Sequence, residues 1–226
     1  MTVKLFFFDL EGTIFSSSER ILEGGETAEF TNLWSLLMHE LGADAVSEEK
    51  RNLQKWKNGE YHSYLDWARE SAGVLKKYGL DKDKYLKVTE TIPYNEGVKE
   101  LLAELNRRDI RSAVISGGFS NHARKAQREL HITHSFAAID LLWDEAGELD
   151  YWNILPSDYE GKIDFVRLLE REYNLSLDEC AFVGDEKNDV FIAREVGLSF
   201  AYNAPEELKE AADYAIKDLS KISAYL

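Results

Sequence analysis

The sequence predicts an α/β fold, a doubly wound parallel sheet with a helical insertion after its first strand. Three observations predict it. Short apolar runs suited to buried parallel strands recur along the chain, amphipathic helical patterns separate most of them, and residues 16–91 carry helical patterns with no convincing strand.

The run from Val3 to Phe8 opens the sheet and stops abruptly at Asp9, with Glu11, Gly12 and Thr13 behind it. Asp and Gly are ordinary residues for leaving a strand, so this stretch alone is a turn signal. Helical patterns at Phe30 to Leu41, Glu48 to Lys57, Tyr61 to Tyr78 and Lys82 to Thr91 form the insertion. Its two connections are FSSSER and TIPYNEG, with Pro93 marking the return. The stretch EGVKELLAELNRR then places Val98, Leu101, Leu102 and Leu105 on one helical face. Strands are expected at Ser112 to Ile115 and Phe136 to Ile139, followed by a hairpin, LLWDEAGELDYW, turning at Glu145, Ala146 and Gly147. Ile163, Val166, Leu169 and Tyr173 share a face of the next helix, and strands at Ala181 to Val183 and Leu198 to Tyr202 complete the sheet. EELKEAADY, residues 206–214, reads as a surface helix. The expected domains are an α/β core of residues 1–15 and 92–226 and a helical unit of residues 16–91.

Composition narrows the function. Forty-two Asp and Glu against 27 Lys and Arg give a formal charge of -15, which repels polyanions and anionic surfaces. A nucleic-acid polymer is therefore not an expected partner. Cys180 is the single cysteine, so no intrachain disulfide forms, and its apolar neighbours make it a buried core thiol in a reducing compartment. No apolar stretch approaches the roughly 20 residues that span a bilayer, and none resembles a signal-peptide core, so a cytoplasmic protein without a membrane partner is expected.

Each strand end carries notable chemistry. RSAVI runs into Ser116, Gly117 and Gly118, and CAFV runs into GDEKND with Asp185, Asn188 and Asp189. In an open parallel sheet the carboxyl ends of the strands share one edge, so Asp9, Glu11, Ser116, Asp185 and Asp189 should converge. Four carboxylates in one crevice need a counter-charge. An all-oxygen ligand set points to Mg²⁺, and none of the five histidines has ligand spacing. The cation in turn draws an anion, and phosphate is the one expected. Ser116 and the Gly-rich backbone beyond it offer donors at a helix start, and Lys162 offers a point positive charge.

This order of motifs resembles the haloacid dehalogenase superfamily throughout the α/β part. DLEGT matches its first motif, ISGG its Ser/Thr motif, Lys162 its lysine and GDEKND its acidic motif. The stretches SGGF, EGK and Pro93 to Gly97, with the early helical cap, are most similar to phosphoserine phosphatase-like members. The resemblance implies a Rossmann-like core and a phosphoric monoester hydrolase working through an aspartyl-phosphate intermediate. It implies that Asp9 is the nucleophile and Glu11 the general acid and base. Mg²⁺ would be held by Asp9, the Glu11 carbonyl and Asp185, supported by Asp189 and Asn188. Ser116, the Gly117 amide and Lys162 would grip the phosphoryl group. Glu11 departs from the pattern, since most members carry Asp there; its ordinary pKa of about 4.3 preserves the proton chemistry.

The cap would set substrate choice among small phosphate monoesters. The position at which phosphoserine phosphatases carry a cap Arg falls on or near Asp66 and Trp67, with Arg69 one turn away, and Glu19 is the nearest cap acid, about one residue out of register. Phosphoserine is therefore an alternative substrate rather than the expected one. A phosphotransferase or phosphomutase would use the same residues with another acceptor, and a non-catalytic phospho-ligand sensor would keep the cradle without turnover. Trp34, Trp56, Tyr61, Tyr64 and Trp67 could line a pocket for a ring-bearing leaving group, although packing between cap helices is the plainer expectation. Lys125 and Arg128 are expected on a solvated face.

Overall fold

The computed structural model describes residues 2–21, 27–30 and 32–226, with the backbone alone at 18–21, 27 and 28. Nine strands and nine α-helices are present among them. In chain order they are β1 (Leu5–Phe8), β2 (Ser18–Ile21), β3 (Thr27–Phe30), α1 (Leu33–Glu40), α2 (Ala43–Lys57), α3 (Tyr64–Lys77), α4 (Lys82–Glu90), α5 (Val98–Arg107), β4 (Arg111–Phe119), α6 (Ser120–Leu130) and β5 (His134–Trp143). There follow β6 (Leu149–Ile154), α7 (Gly161–Glu172), β7 (Cys180–Gly184), α8 (Val190–Ala193), β8 (Leu198–Tyr202), α9 (Glu206–Ala211) and β9 (Tyr214–Ile216).

Seven strands form one sheet in the order β6-β5-β4-β1-β7-β8-β9. All its pairings are parallel except β5 with β6. The sheet is buried on both faces, which is why its central strands read as unbroken apolar runs. Along β1 the side chains alternate between the two layers. Leu5 and Phe7 pack with Val166 and Leu169 of α7, Ile192 of α8 and Leu208 of α9. Phe6 and Phe8 pack on the other side with Leu101 and Leu105 of α5, Ala126 of α6 and Ile222 near the C-terminus. Cys180 is buried in the first of these layers, as its sequence context predicts.

The insertion after β1 contains α1 to α4, and three of these helices begin on side-chain caps. Asn32, Ser63 and Asp81 accept the amides of Ser35, Asp66 and Lys84. It also contains an antiparallel hairpin, β2 with β3, where no strand was expected. A four-residue strand with charged residues in it has too little alternation to read from sequence. The two connections lie side by side. Ser16 N–H donates to the Pro93 carbonyl at 2.9 Å, Phe15 stacks on Tyr94, and Asn95 Nδ2 donates to the carbonyls of Gly12 and Thr13. At its far end the insertion meets the β5–β6 hairpin, where Lys82 N–H donates to Gly147 O and Leu149 N–H to Leu80 O.

Three further expectations change. β4 runs on to Phe119, because β5 pairs with it past a bulge between Ser116 and Phe119, so Ser116 to Gly118 end a strand and α6 starts only at Ser120. The surface helix at 206–214 stops at Ala211, and Tyr214 begins the edge strand β9. Lys125 is not simply solvated: its ammonium donates to Thr89 O at 3.0 Å, tying α6 to the end of α4. Among the described residues no helix is long and apolar enough to cross a membrane.

Candidate active site

β1 is the hydrogen-bonded neighbour of both β4 and β7, so the carboxyl ends of these three strands lie together. That adjacency assembles Asp9, Ser116 and Asp185 from distant parts of the chain. Asp9 continues the register beyond β1, its amide donating to Val183 O at 3.0 Å. The chain then turns sharply at Gly12, with φ +91°. A Cβ there would lie 1.9 Å from Asp185 Oδ2, so glycine is the residue that lets the β1 turn and the β7 loop meet.

Beneath the edge lies Lys162, at the start of α7 and with 0% of its surface exposed. Its ammonium donates to Asp9 Oδ1 and to Asp189 Oδ1, each at 2.6 Å. Asp189 Oδ2 accepts the amides of Asp185 and Glu186, at 3.0 and 3.2 Å, and Asp185 Oδ1 accepts the Thr13 hydroxyl at 2.7 Å. Ligand oxygens of Asp9, Asp185 and Asp189 come within 4.8 Å of one another.

Two of these three carboxylates, Asp9 and Asp189, share the one ammonium of Lys162, and among the described residues Asp185 has no cation of its own. Burial pushes Asp9 up to about 8 against the pull of Lys162, with Asp189 adding to the rise. Burial and then the charges of Asp9 and Asp189 hold Asp185 well above the ordinary carboxylate range. Burial alone would lower Lys162, but Asp189, Asp9 and Asp158 hold it above its usual value. The site has an unmet demand for positive charge, and its donors are hard oxygens at the spacing a divalent cation bridges.

A cavity of about 380 Å³ opens onto this cluster. Asp9, Glu11, Ser116, Gly117, Asp185 and Asn188 all line it, so six of the expected site residues meet there, while Lys162 and Asp189 lie just beneath. Ser116 Oγ accepts the Gly118 amide at 3.0 Å. Glu11 is held by the amide of Leu33, the first residue of α1, which donates to Oε2 at 3.3 Å.

Asp158 is a lining residue that sequence reasoning missed. Asn188 Nδ2 donates to its Oδ1, and burial raises its pKa against the pull of Lys162. A Cβ on Gly117 would lie 2.3 Å from Asp158 Oδ2, so the Asp158 side chain packs directly against the Gly117 backbone at the cavity. Its signal in the sequence was slight, an Asp four residues before Lys162 in a turn-like stretch.

The cavity's outer wall adds to the expected core packing, in which Trp34, Tyr64 and Trp67 take part. Trp34, Trp56, Tyr64 and Trp67 line it with Tyr159, and Tyr61 does not. Successive ring centroids from Trp34 through Trp67, Tyr64 and Tyr159 to Trp56 are 5.5, 5.4, 6.0 and 5.9 Å apart. The Tyr64 hydroxyl donates to Gly117 O, joining α3 to the end of β4. Arg69 is turned away, 3.5 Å from Asp66 on an exposed face. Glu19 has no described side chain.

A buried lysine is thus bracketed by two carboxylates at the carboxyl edge of a parallel sheet, with an acid after the first strand. The haloacid dehalogenase-like hydrolase family model matches residues 3–197, and the chain belongs to that family. It is a phosphatase, a phosphoric monoester hydrolase. Among its relatives is the phosphoserine phosphatase of Methanocaldococcus jannaschii, 28% identical over 80% of this chain and 85% of that one. The phosphoserine phosphatase of Wolinella succinogenes is 29% identical over 99% of this chain and all of that one. Over the whole of both chains the structure is also similar to that of a phospho-aspartyl intermediate analogue of phosphoserine phosphatase, with a TM-score of 0.78 and 25% identity.

Proposed function

We propose that this phosphatase is Mg²⁺-dependent, that Asp9 is its nucleophile and Glu11 its proton shuttle, and that residues 16–91 are the cap that selects the substrate. The observation that carries the reading is the hydrogen-bonded line Asp9–Lys162–Asp189 beneath a cavity that Glu11 also enters. In the first step an Asp9 carboxylate oxygen bonds to phosphorus, the ester P–O bond breaks, and the departing oxygen takes a proton from Glu11. In the second, water gives a proton to Glu11 as its oxygen bonds to phosphorus, the Asp9–phosphorus bond breaks, and phosphate leaves.

Lys162 holds Asp9 aimed at phosphorus and spreads positive charge toward the phosphoryl oxygens. Ser116 and Gly117 line the same cavity, and the Ser116 hydroxyl and the Gly117 amide would grip those oxygens. Asp9, the Glu11 carbonyl and Asp185 would hold Mg²⁺, with Asp189 and Asn188 behind them; the bound cation would offset charge on the phosphoryl group. The buried carboxylates of Asp9 and Asp185, both held above their ordinary range, fit that ion.

For the leaving group, the aromatic wall supports a ring-bearing or otherwise apolar alcohol, since the rings lining the cavity offer apolar surface. Phosphoserine remains the second reading, favoured by the names of the relatives. Against it, Lys57 is the one cation lining the cavity among the described residues, and Arg69 pairs with Asp66 outside it.

Inorganic phosphate release from phosphoserine, sugar phosphates, nucleotides and an aryl phosphate, with Mg²⁺ or with chelator, tests the proposal. Release that needs both the metal and Asp9 is expected, with the aryl ester preferred. Undiminished release by Asp9→Asn would overturn it, and binding without turnover by the wild type would favour a sensor.

A further inference from the structure

The sequence marks Glu11 as a departure, one methylene longer than the usual Asp, and the structure shows what lies behind it. His122, in the first turn of α6, is 1% exposed and stacks on Phe15 with centroids 3.8 Å apart. Among the described residues neither of its ring nitrogens has a hydrogen-bond partner, and neither does Glu11 Oε1. These two unpaired groups face each other, Nδ1 lying 3.9 Å from Oε1. Both border a second, small cavity of about 10 Å³, lined also by apolar side chains such as Phe15, Phe30 and Leu33 and by Ser16 and Asn32. That is room for one water.

A buried imidazole and a buried carboxylate oxygen are seldom left unpaired side by side, because each has lost water without gaining a partner. We propose that His122 is a positioning residue for Glu11, its Nδ1–H donating to Oε1 directly or through one water in this small cavity. A neutral imidazole suffices. Glu11 is then held at two points, Oε2 by the Leu33 amide of the insertion and Oε1 by His122 of the sheet-packing helix α6. The longer side chain is thereby given a defined position that an Asp could not reach. This inference rests on the reading of Glu11 as proton shuttle.

The test uses the full chain with Mg²⁺. His122→Phe keeps the stacking and removes the donor; His122→Asn restores a donor near Nδ1. With an alkyl phosphate, His122→Phe is expected to lower kcat about ten- to a hundredfold with KM little changed. His122→Asn should recover much of that loss. In a Glu11→Gln background His122→Phe should cost nothing more, since it acts through Glu11. An unchanged kcat, or the same loss in the Glu11→Gln background, overturns the proposal. A readout independent of folding variants at 122 and of activity is ¹⁵N NMR of the wild-type histidine rings. His122 should carry its proton on Nδ1, and its signal should move on Glu11→Gln. A signal that stays put overturns the pairing, whereas absence of phosphate release by the wild type with the NMR shift intact would overturn the phosphatase reading alone.

Discussion

Lys162 donates to Asp9 at 2.6 Å across a sequence separation of 153 residues, and the bond is wholly buried. The buried ammonium is satisfied by two carboxylates, so each of the three depends on the others. Replacing Lys162 with Met should leave Asp9 and Asp189 buried without a counter-ion and cost about 3–5 kcal/mol of stability. Urea unfolding of the metal-free protein checks this, and a loss under 1 kcal/mol would mean that water or a relaxed loop replaces the ammonium.

Gly12→Ala should weaken metal binding as well as strain the turn. Its Cβ would drive into Asp185 Oδ2, and its φ of +91° is strained for any L side chain. Mg²⁺ titration followed by thermal unfolding should show weakened binding of about tenfold or more, with Asp185 displaced from Asp9. Wild-type affinity would show that the turn re-forms around the methyl group.

Removing the aromatic wall should change selectivity before it changes chemistry. Trp67 packs between Trp34 and Tyr64 on the cavity wall, away from the Asp9–Lys162 line. Trp67→Ala is expected to raise KM for an aryl phosphate by about tenfold, the value of losing one ring contact of roughly 1 kcal/mol or a little more, and to leave phosphoserine hydrolysis comparatively unaffected. Equal effects on both esters would assign the ring to cap packing.

Glu49 of α2 gives a pH signature away from the catalytic edge. Burial raises its pKa to about 7, opposed by the polar groups of Ser71 and Asn52 beside it. The folded state therefore holds this proton more tightly than the unfolded chain, whose group titrates near 4.5. Where the folded state binds more protons, stability falls as pH rises, so this contribution should be lost between about pH 4.5 and 7. Glu49→Gln should flatten that slope and raise stability at pH 8 by about 1–2 kcal/mol. Chemical denaturation at pH 5 and pH 8 compares the two proteins, and an identical slope would place Glu49 in solvent.

The chain's own pattern carried the sheet and its chemistry far. Unbroken apolar runs marked β1, β7 and β8 because both faces of those strands are covered, and the residues ending the strands named the edge where Asp9, Ser116 and Asp185 meet. Local pattern failed where a structure depends on a partner. The hairpin β2–β3, the extension of β4 to Phe119 and the edge strand β9 exist through pairing across the chain, not through periodicity within it.

By itself the sequence determined the α/β alternation and the residue types at the strand ends, because these follow from periodicity of burial and from the few side chains able to carry phosphoryl chemistry. Only the tertiary structure decided that the insertion's aromatic residues wall the cavity, that Asp158 closes its floor and that His122 faces Glu11. Those relations join residues on separate helices and loops, and distance in space between such residues is set by packing of the layers, which no local pattern encodes.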